Sequence, residues 1–433
     1  MSEMGAQGVS ALPLLVVEHP LGGERPEAIA RRAHQAFEQL NALIGGPTTR
    51  GSATTSGGSA TTERASGASG GCASAERASG ATTVSNRPPT SLPEQASPAT
   101  IDLPDDPTAV FDAFTSRSWA DGLPIIPPTE ERVRAMLGQR DGGKTLGVMP
   151  PLWRQVTLEK LAVNAVMAGC EPRAFPIVVA AVEAMLDRAF NLYGVQATTH
   201  PVAPLLVVNG AYGREIGLHG GSGCFGPGFR ANATIGRAIR LILLNVGGAW
   251  PGRYDMATQG SPAKFSYCIA ENEAASPWGP MVSGDTVTVF GGEAPHNVND
   301  HVATTATGIL TTLSDTAVSL GSNVGWYFSQ SQLMVVLGPE HARTIADDGF
   351  TRADVQRFVY EHARLSLGHL KLGGMWGMHD WPRWMTAVAD PATLLPQVPS
   401  PEDIYVVVAG GSGKHSAVVP NCTFSRAVSR PIG

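Results

Sequence analysis

The sequence predicts an α/β fold, with a mixed or largely parallel sheet, mostly buried, and flanking helices. Three observations carry that reading. Apolar runs of strand length recur at 205–208, 265–269, 286–290, 333–337 and 404–408. Helical periodicities separate most of them, the pattern of strands laid between packed helices. Glycine (50) and proline (33) are abundant while only 16% of the 433 residues are charged, as tight turns between buried elements require.

Taken in order, residues 14–17 read as a short buried strand, 19–23 as a turn and 26–43 as an amphipathic helix with proline in its first turn. One strand and one helix cannot bury their apolar faces alone, so the unit 12–44 must dock on the rest of the chain or on another protein. From 45 to 104 the composition shifts to Ser, Thr, Gly, Ala and Pro, and the hexapeptide at 63–68 recurs at 76–81. That predicts a disordered, low-complexity linker, with Cys72 inside it as a silent thiol. Residues 105–433 read as the globular α/β body, in one piece or two subdomains.

Within the body, helices are expected at 107–116, at 130–137 behind Thr129, at 158–168 behind Thr157, and at 175–190. Further helices are expected at 232–246, 303–320, 339–346 and 352–367. The last begins behind Thr351, with Asp354 completing a capping-box pattern. The strand at 404–408 reads as the last of the chain.

Composition also limits function. A net charge of -6 offers no basic face for counterion release, so nucleic acid is not an expected partner. Five cysteines without CxxC spacing fit neither a disulfide framework nor a zinc ribbon, and point to a reduced, cytoplasmic compartment. The N-terminus lacks the pattern of a signal peptide. No apolar run approaches the roughly 18 residues of a membrane span.

The sharpest motif is the loop at 217–230, which holds six glycines and runs into an apolar helix. Glycine lets backbone amides approach a ligand, and a helix N-terminus adds partial positive charge, so the pair suits an anion. Gly221, Ser222, Gly223 and Asn232 are its expected contacts, with Arg230 and Arg237 as paired cationic forks. Tight turns and solvated arginines would account for the same residues. Cys224, near that helix start and His219, is the candidate thiolate, against the ordinary fate of a buried cysteine. The loop is neither GxGxxG nor Walker A and names no cofactor.

A second glycine-rich turn follows the strand at 404–408. Gly411 and Gly413 could contact an anion, and Lys414 and His415 could hold it or move a proton. Glu271 and Glu273 would share a face if their strand continues, with Glu271 a proton carrier; solvated strand-end acids are the other reading. His296 and His301 lie on an expected loop and match no zinc signature. Residues 375–384, rich in Trp and Met, read as a pocket wall or a core-filling connection.

Residues 14–44, through Val16-Val17-Glu18-His19-Pro20-Leu21-Gly22-Gly23 and the helix carrying Ala30-Arg31-Arg32-Ala33, resemble the closing strand and helix of the UGSC-motif (seleno)protein domain. That family's redox motif lies upstream of this segment and is absent here. The resemblance therefore implies a chain begun at an internal start, or a separate UGSC-type redox subunit. The body resembles the domain that accompanies this family, through Asp121-Gly122-Leu123-Pro124, Asn164 to Cys170, Arg230 to Arg237 and Gly410 to His415. It implies thiol or selenol redox chemistry nearby and names no substrate.

The leading expectation is an enzyme, or enzyme subunit, acting on a small anionic substrate by thiol-assisted redox or elimination chemistry, with Cys224 as thiolate and Lys414, His415 or Glu271 moving protons. A metal-dependent hydrolase or lyase would instead use His200, His219, His296, His301 and the two glutamates. A third possibility is a non-catalytic partner of a redox protein. A homo-oligomer is compatible with each.

Overall fold

The computed structural model describes residues 26–44, 100–319, 321, 331–373 and 387–433. The strand expected at 14–17, the segment 45–99 with Cys72, and the Trp-rich stretch 375–384 lie outside the described residues. The chain divides into two compact units, and the helix Pro26–Ile44 belongs almost wholly to the first. The second unit runs from Leu103 to Gly433.

The second unit is an α/β structure. Its strands, in chain order, are β1 (Thr145–Met149), β2 (Arg154–Thr157), β3 (Ala203–Asn209), β4 (Cys268–Ala270), β5 (Thr286–Gly292), β6 (His296–Asn299), β7 (Leu333–Leu337), β8 (Arg364–Ser366), β9 (Leu394–Pro396), β10 (Ile404–Val408), β11 (His415–Pro420) and β12 (Val428–Pro431). Two mixed four-stranded sheets dominate, ordered β12-β5-β3-β4 and β10-β7-β11-β6. Each contains one parallel pair, β3 with β4 and β10 with β7. The pairs β1-β2 and β8-β9 are small antiparallel ribbons.

Alternation along the strands sets the layers, because successive side chains point to opposite faces. On β3, Leu206 and Val208 face the core shared with Leu161, Ile177 and Ile239 of the helices Leu158–Ala168, Phe175–Leu186 and Arg230–Ile242. On β7, Val335 and Leu337 face Leu310, Ile345 and Val355 of the helices Ala306–Thr316, Pro339–Asp347 and Arg352–His362. The opposite faces meet each other: Leu205, Val207 and Phe290 of one sheet pack with Met334, Val336, Val407 and Val419 of the other. The order is helices, sheet, sheet, helices. It explains why these strands are apolar without a break, since both faces are covered.

Several elements differ from expectation. The strand read at 265–269 begins only at Cys268, because Pro262–Lys264 winds a tight helical turn and Ser266 Oγ is engaged by the carbonyls of Asn232 and Ala233. The helix expected to 367 stops at His362, and Arg364–Ser366 becomes β8, paired with β9. The helix at 303–320 is confined to Ala306–Thr316 by a Thr305 cap. The loop expected around His296 is strand β6, and β10 is followed by two more strands.

Candidate functional site

The carboxyl ends of both parallel pairs meet at one place. Beyond β4, the Glu271 amide donates to Val208 O of β3 at 3.0 Å, and the Asn272 amide crosses to Val408 O of β10 at 2.8 Å. Beyond β10, the Ala409 amide donates to Leu337 O of β7 and the Gly410 amide to Gly220 O at 2.8 Å. The glycine loop, the strand-end acids and the second glycine turn therefore converge. Ligands of open α/β sheets sit beyond such carboxyl ends.

Two glycines are required for that convergence. A Cβ on Gly220 would lie 2.9 Å from the Asn272 nitrogen, and one on Gly411 would lie 2.5 Å from Ser222 Cβ. Only a residue without a side chain permits either approach. Asn232, buried at the start of its helix, clasps the loop: its Oδ1 accepts from the His219 amide and its Nδ2 donates to His219 O, both at 2.8 Å, and to Cys224 O. The His219 ring stacks on Phe229 at 3.6 Å.

Beneath the loops lies a buried charge network. Glu271 has no exposed side-chain surface, and its carboxylate accepts from Asn209 Nδ2 at 2.5 Å, the Met281 amide at 2.6 Å and Arg352 Nη2 at 3.1 Å. Arg352 also donates to the carbonyls of Val406 and Gly279. Glu273 accepts from Asn209 Nδ2, the Gly210 amide and Arg214 Nη1. Burial opposes ionisation of Glu273, yet the Gly210 amide, Arg214 and Asn209 outweigh it and hold the carboxyl below its usual range. The acids are thus brought together by Asn209, each with its own arginine. Asn209 Oδ1 is buried and meets no donor among the described residues.

Several sequence expectations need correction here. Burial pushes the Cys224 thiol up to about 11, against a weaker pull from the Phe225 amide, so the expected thiolate is disfavoured. Arg237 is spent on Asp121, Nε and Nη2 each meeting a carboxylate oxygen at 2.8 Å, and on the carbonyls of Leu123 and Pro124. Arg230 pairs with Glu171 at 3.0 Å and with Gly169 O. Neither arginine offers an unengaged fork. Asn232 serves the loop itself. Glu271, the expected proton carrier, is enclosed and bonded at both oxygens.

Of the second turn, the Gly413 amide donates to Glu340 Oε1 at 2.9 Å and Lys414 Nζ to His301 O. His415 faces His301, with Nε2 to Nε2 at 3.2 Å. Among the described residues, no group of three or more His, Cys, Asp or Glu side chains could hold a metal ion, so the metal reading's His200, His219, His296, His301 and glutamates are not gathered. His200 pairs instead with Glu293 at 2.8 Å. A groove of about 520 Å³ lined by Arg140, Lys144, Glu183 and Pro431 contains none of the expected site residues.

Sequence reasoning missed Asn209, Arg214 and Arg352. Asn209 had a signal, as the polar residue ending an otherwise apolar strand. Arg352 and Arg214 had none, since nothing local marks which buried carboxylate an arginine will meet. No helix among the described residues is long and apolar enough to cross a membrane. Comparison with protein-family models, with curated proteins and with solved structures finds no match for this chain.

Proposed function

We propose that this chain is an enzyme, or an enzyme subunit, that takes a small anionic molecule at the seam between the glycine loop 217–229 and the turn 409–414. The observation that carries the reading is the Gly410 amide bonded to Gly220 O at 2.8 Å, which joins two glycine-rich segments at the carboxyl ends of both parallel pairs. The amides of Ser222, Gly223, Gly411 and Ser412 meet no acceptor among the described residues. In the same turn the Gly413 amide already holds the Glu340 carboxylate, the interaction an incoming anion would repeat. The seam binds through backbone dipoles, with the arginines occupied elsewhere. Burial disfavours the Cys224 thiolate, and the seam binds its anion without it.

Calorimetric titration with inorganic phosphate and with succinate tests it. Gly411 has no left-handed backbone angle, so Gly411→Val acts only by wedging against Ser222. We expect saturable binding of one of these anions, weakened about tenfold or more in Gly411→Val, since misplacement of about 1 Å is costly in a preformed site. No binding of either anion, or equal binding in both proteins, overturns the reading and favours a non-catalytic partner role.

A further inference from the structure

We propose that His301 and His415 form a binding site for a divalent transition-metal ion of the zinc and copper class, with the remaining coordination positions open to water or an anion. The two Nε2 atoms stand 3.2 Å apart with their rings crossed at 79°. Two imidazole ligands about 2.0–2.1 Å from a tetrahedral zinc are separated by about 3.3 Å, so the pair already spans one edge of a zinc coordination sphere. Both side chains are solvent-exposed, which leaves an entry path and room for further ligands.

The supporting shell is built. His415 Nδ1 lies 2.9 Å from Asn297 Oδ1, an acceptor, so Nδ1 carries the proton and the Nε2 lone pair faces His301 Nε2. Asn297 and His415 sit on paired strands, β6 and β11, two residues out of direct register and so on the same face. His301 is fixed by a tight turn in which the Asp300 carboxylate accepts from the amides of Val302 and Ala303 and from Thr312 Oγ1. Buried His341 ties the two backbones together, Nδ1 accepting from Ser416 Oγ at 2.8 Å and Nε2 donating to Asp300 O at 3.0 Å. The residues beside both exposed histidines are therefore held by one core histidine, the preorganisation a metal site requires.

Binding asks His301 to place its proton on Nδ1, releasing Nε2, and no covalent step is involved. Two protein ligands make an exchangeable site, weaker than a closed structural one. His415 directly follows the turn 409–414, and Lys414 Nζ of that turn donates to His301 O, but the metal would be held by the two imidazoles and not by the turn's amides.

The test is titration of the full chain with zinc chloride, followed by calorimetry, in the unaltered protein and in His301→Ala, His415→Gln and Asn297→Ala. One equivalent of zinc is expected, bound at least about tenfold more weakly in either histidine variant and about tenfold more weakly in Asn297→Ala, as loss of a supporting hydrogen bond does elsewhere. Loading with copper(II) should give an electron paramagnetic resonance signal with two nitrogen couplings, reduced to one in each histidine variant. No saturable zinc binding, or affinity and nitrogen count unchanged by the histidine substitutions, overturns the proposal and leaves the pair as an imidazole–imidazole hydrogen bond.

Discussion

A cysteine beside a helix start invites a reactive reading, and Cys224 illustrates why the reading depends on water. Burial costs a thiolate its solvation, and the amides of Phe225 and Cys224 that reach the sulfur do not replace it. Cys170 and Cys422 are likewise driven up to about 12 by burial. At pH 8 a thiol titrating near 11 is roughly a hundredfold less ionised than a free one. Iodoacetamide should therefore alkylate Cys224 about a hundredfold more slowly in the native protein than in the urea-unfolded chain, as followed by mass spectrometry of the Cys224 peptide. Native alkylation at the unfolded rate would restore the thiolate. The arginines carry a related lesson: a guanidinium is visible in the sequence, but the carboxylate that takes it is not, and Asp121 lies 116 residues from Arg237.

Helix starts announced by local chemistry formed where they were read. Thr129 and Thr157 cap their helices through side-chain bonds, and Thr351 and Asp354 close a reciprocal capping box. That last cap matters beyond its helix, because Arg352 in the first turn reaches Glu271 and the carbonyl of Val406. Thr351→Ala should lower stability by about 1 kcal/mol in urea unfolding while Thr351→Ser changes it little; equal stability of all three proteins would mean that Asp354 suffices alone. Strands β7 and β10 were legible because both faces are apolar. Strands β6 and β11 were not: His296–Asn299 is mostly polar and edges its sheet, and His415–Pro420 mixes polar and apolar residues. Such strands are specified by the partner that supplies their hydrogen bonds, which local periodicity does not encode.

At the scale of the molecule, the meeting of the two glycine segments could be conceived from sequence, since both are rich in amides suited to one anion, but its basis could not. Two sheets packed face to face bring the ends of β4 and β10 together, and neither run of apolar residues states which other run it will cover. The junction is held by Glu271, from the end of the first sheet, and Arg352, from a helix on the second. A carboxylate with no exposed surface is costly unless its counter-charge is in place, so breaking the pair should cost more than replacing both members. Arg352→Met is expected to lower unfolding free energy by about 3–5 kcal/mol. The double variant Glu271→Gln with Arg352→Met should recover part of that loss, because the remaining amide can still accept the Met281 hydrogen bond without a stranded charge. Urea unfolding of the two single variants and the double variant measures the coupling. Additive losses would mean that Glu271 draws its compensation from Asn209 and the Met281 amide, and that the arginine joins the sheets through the Val406 and Gly279 carbonyls alone.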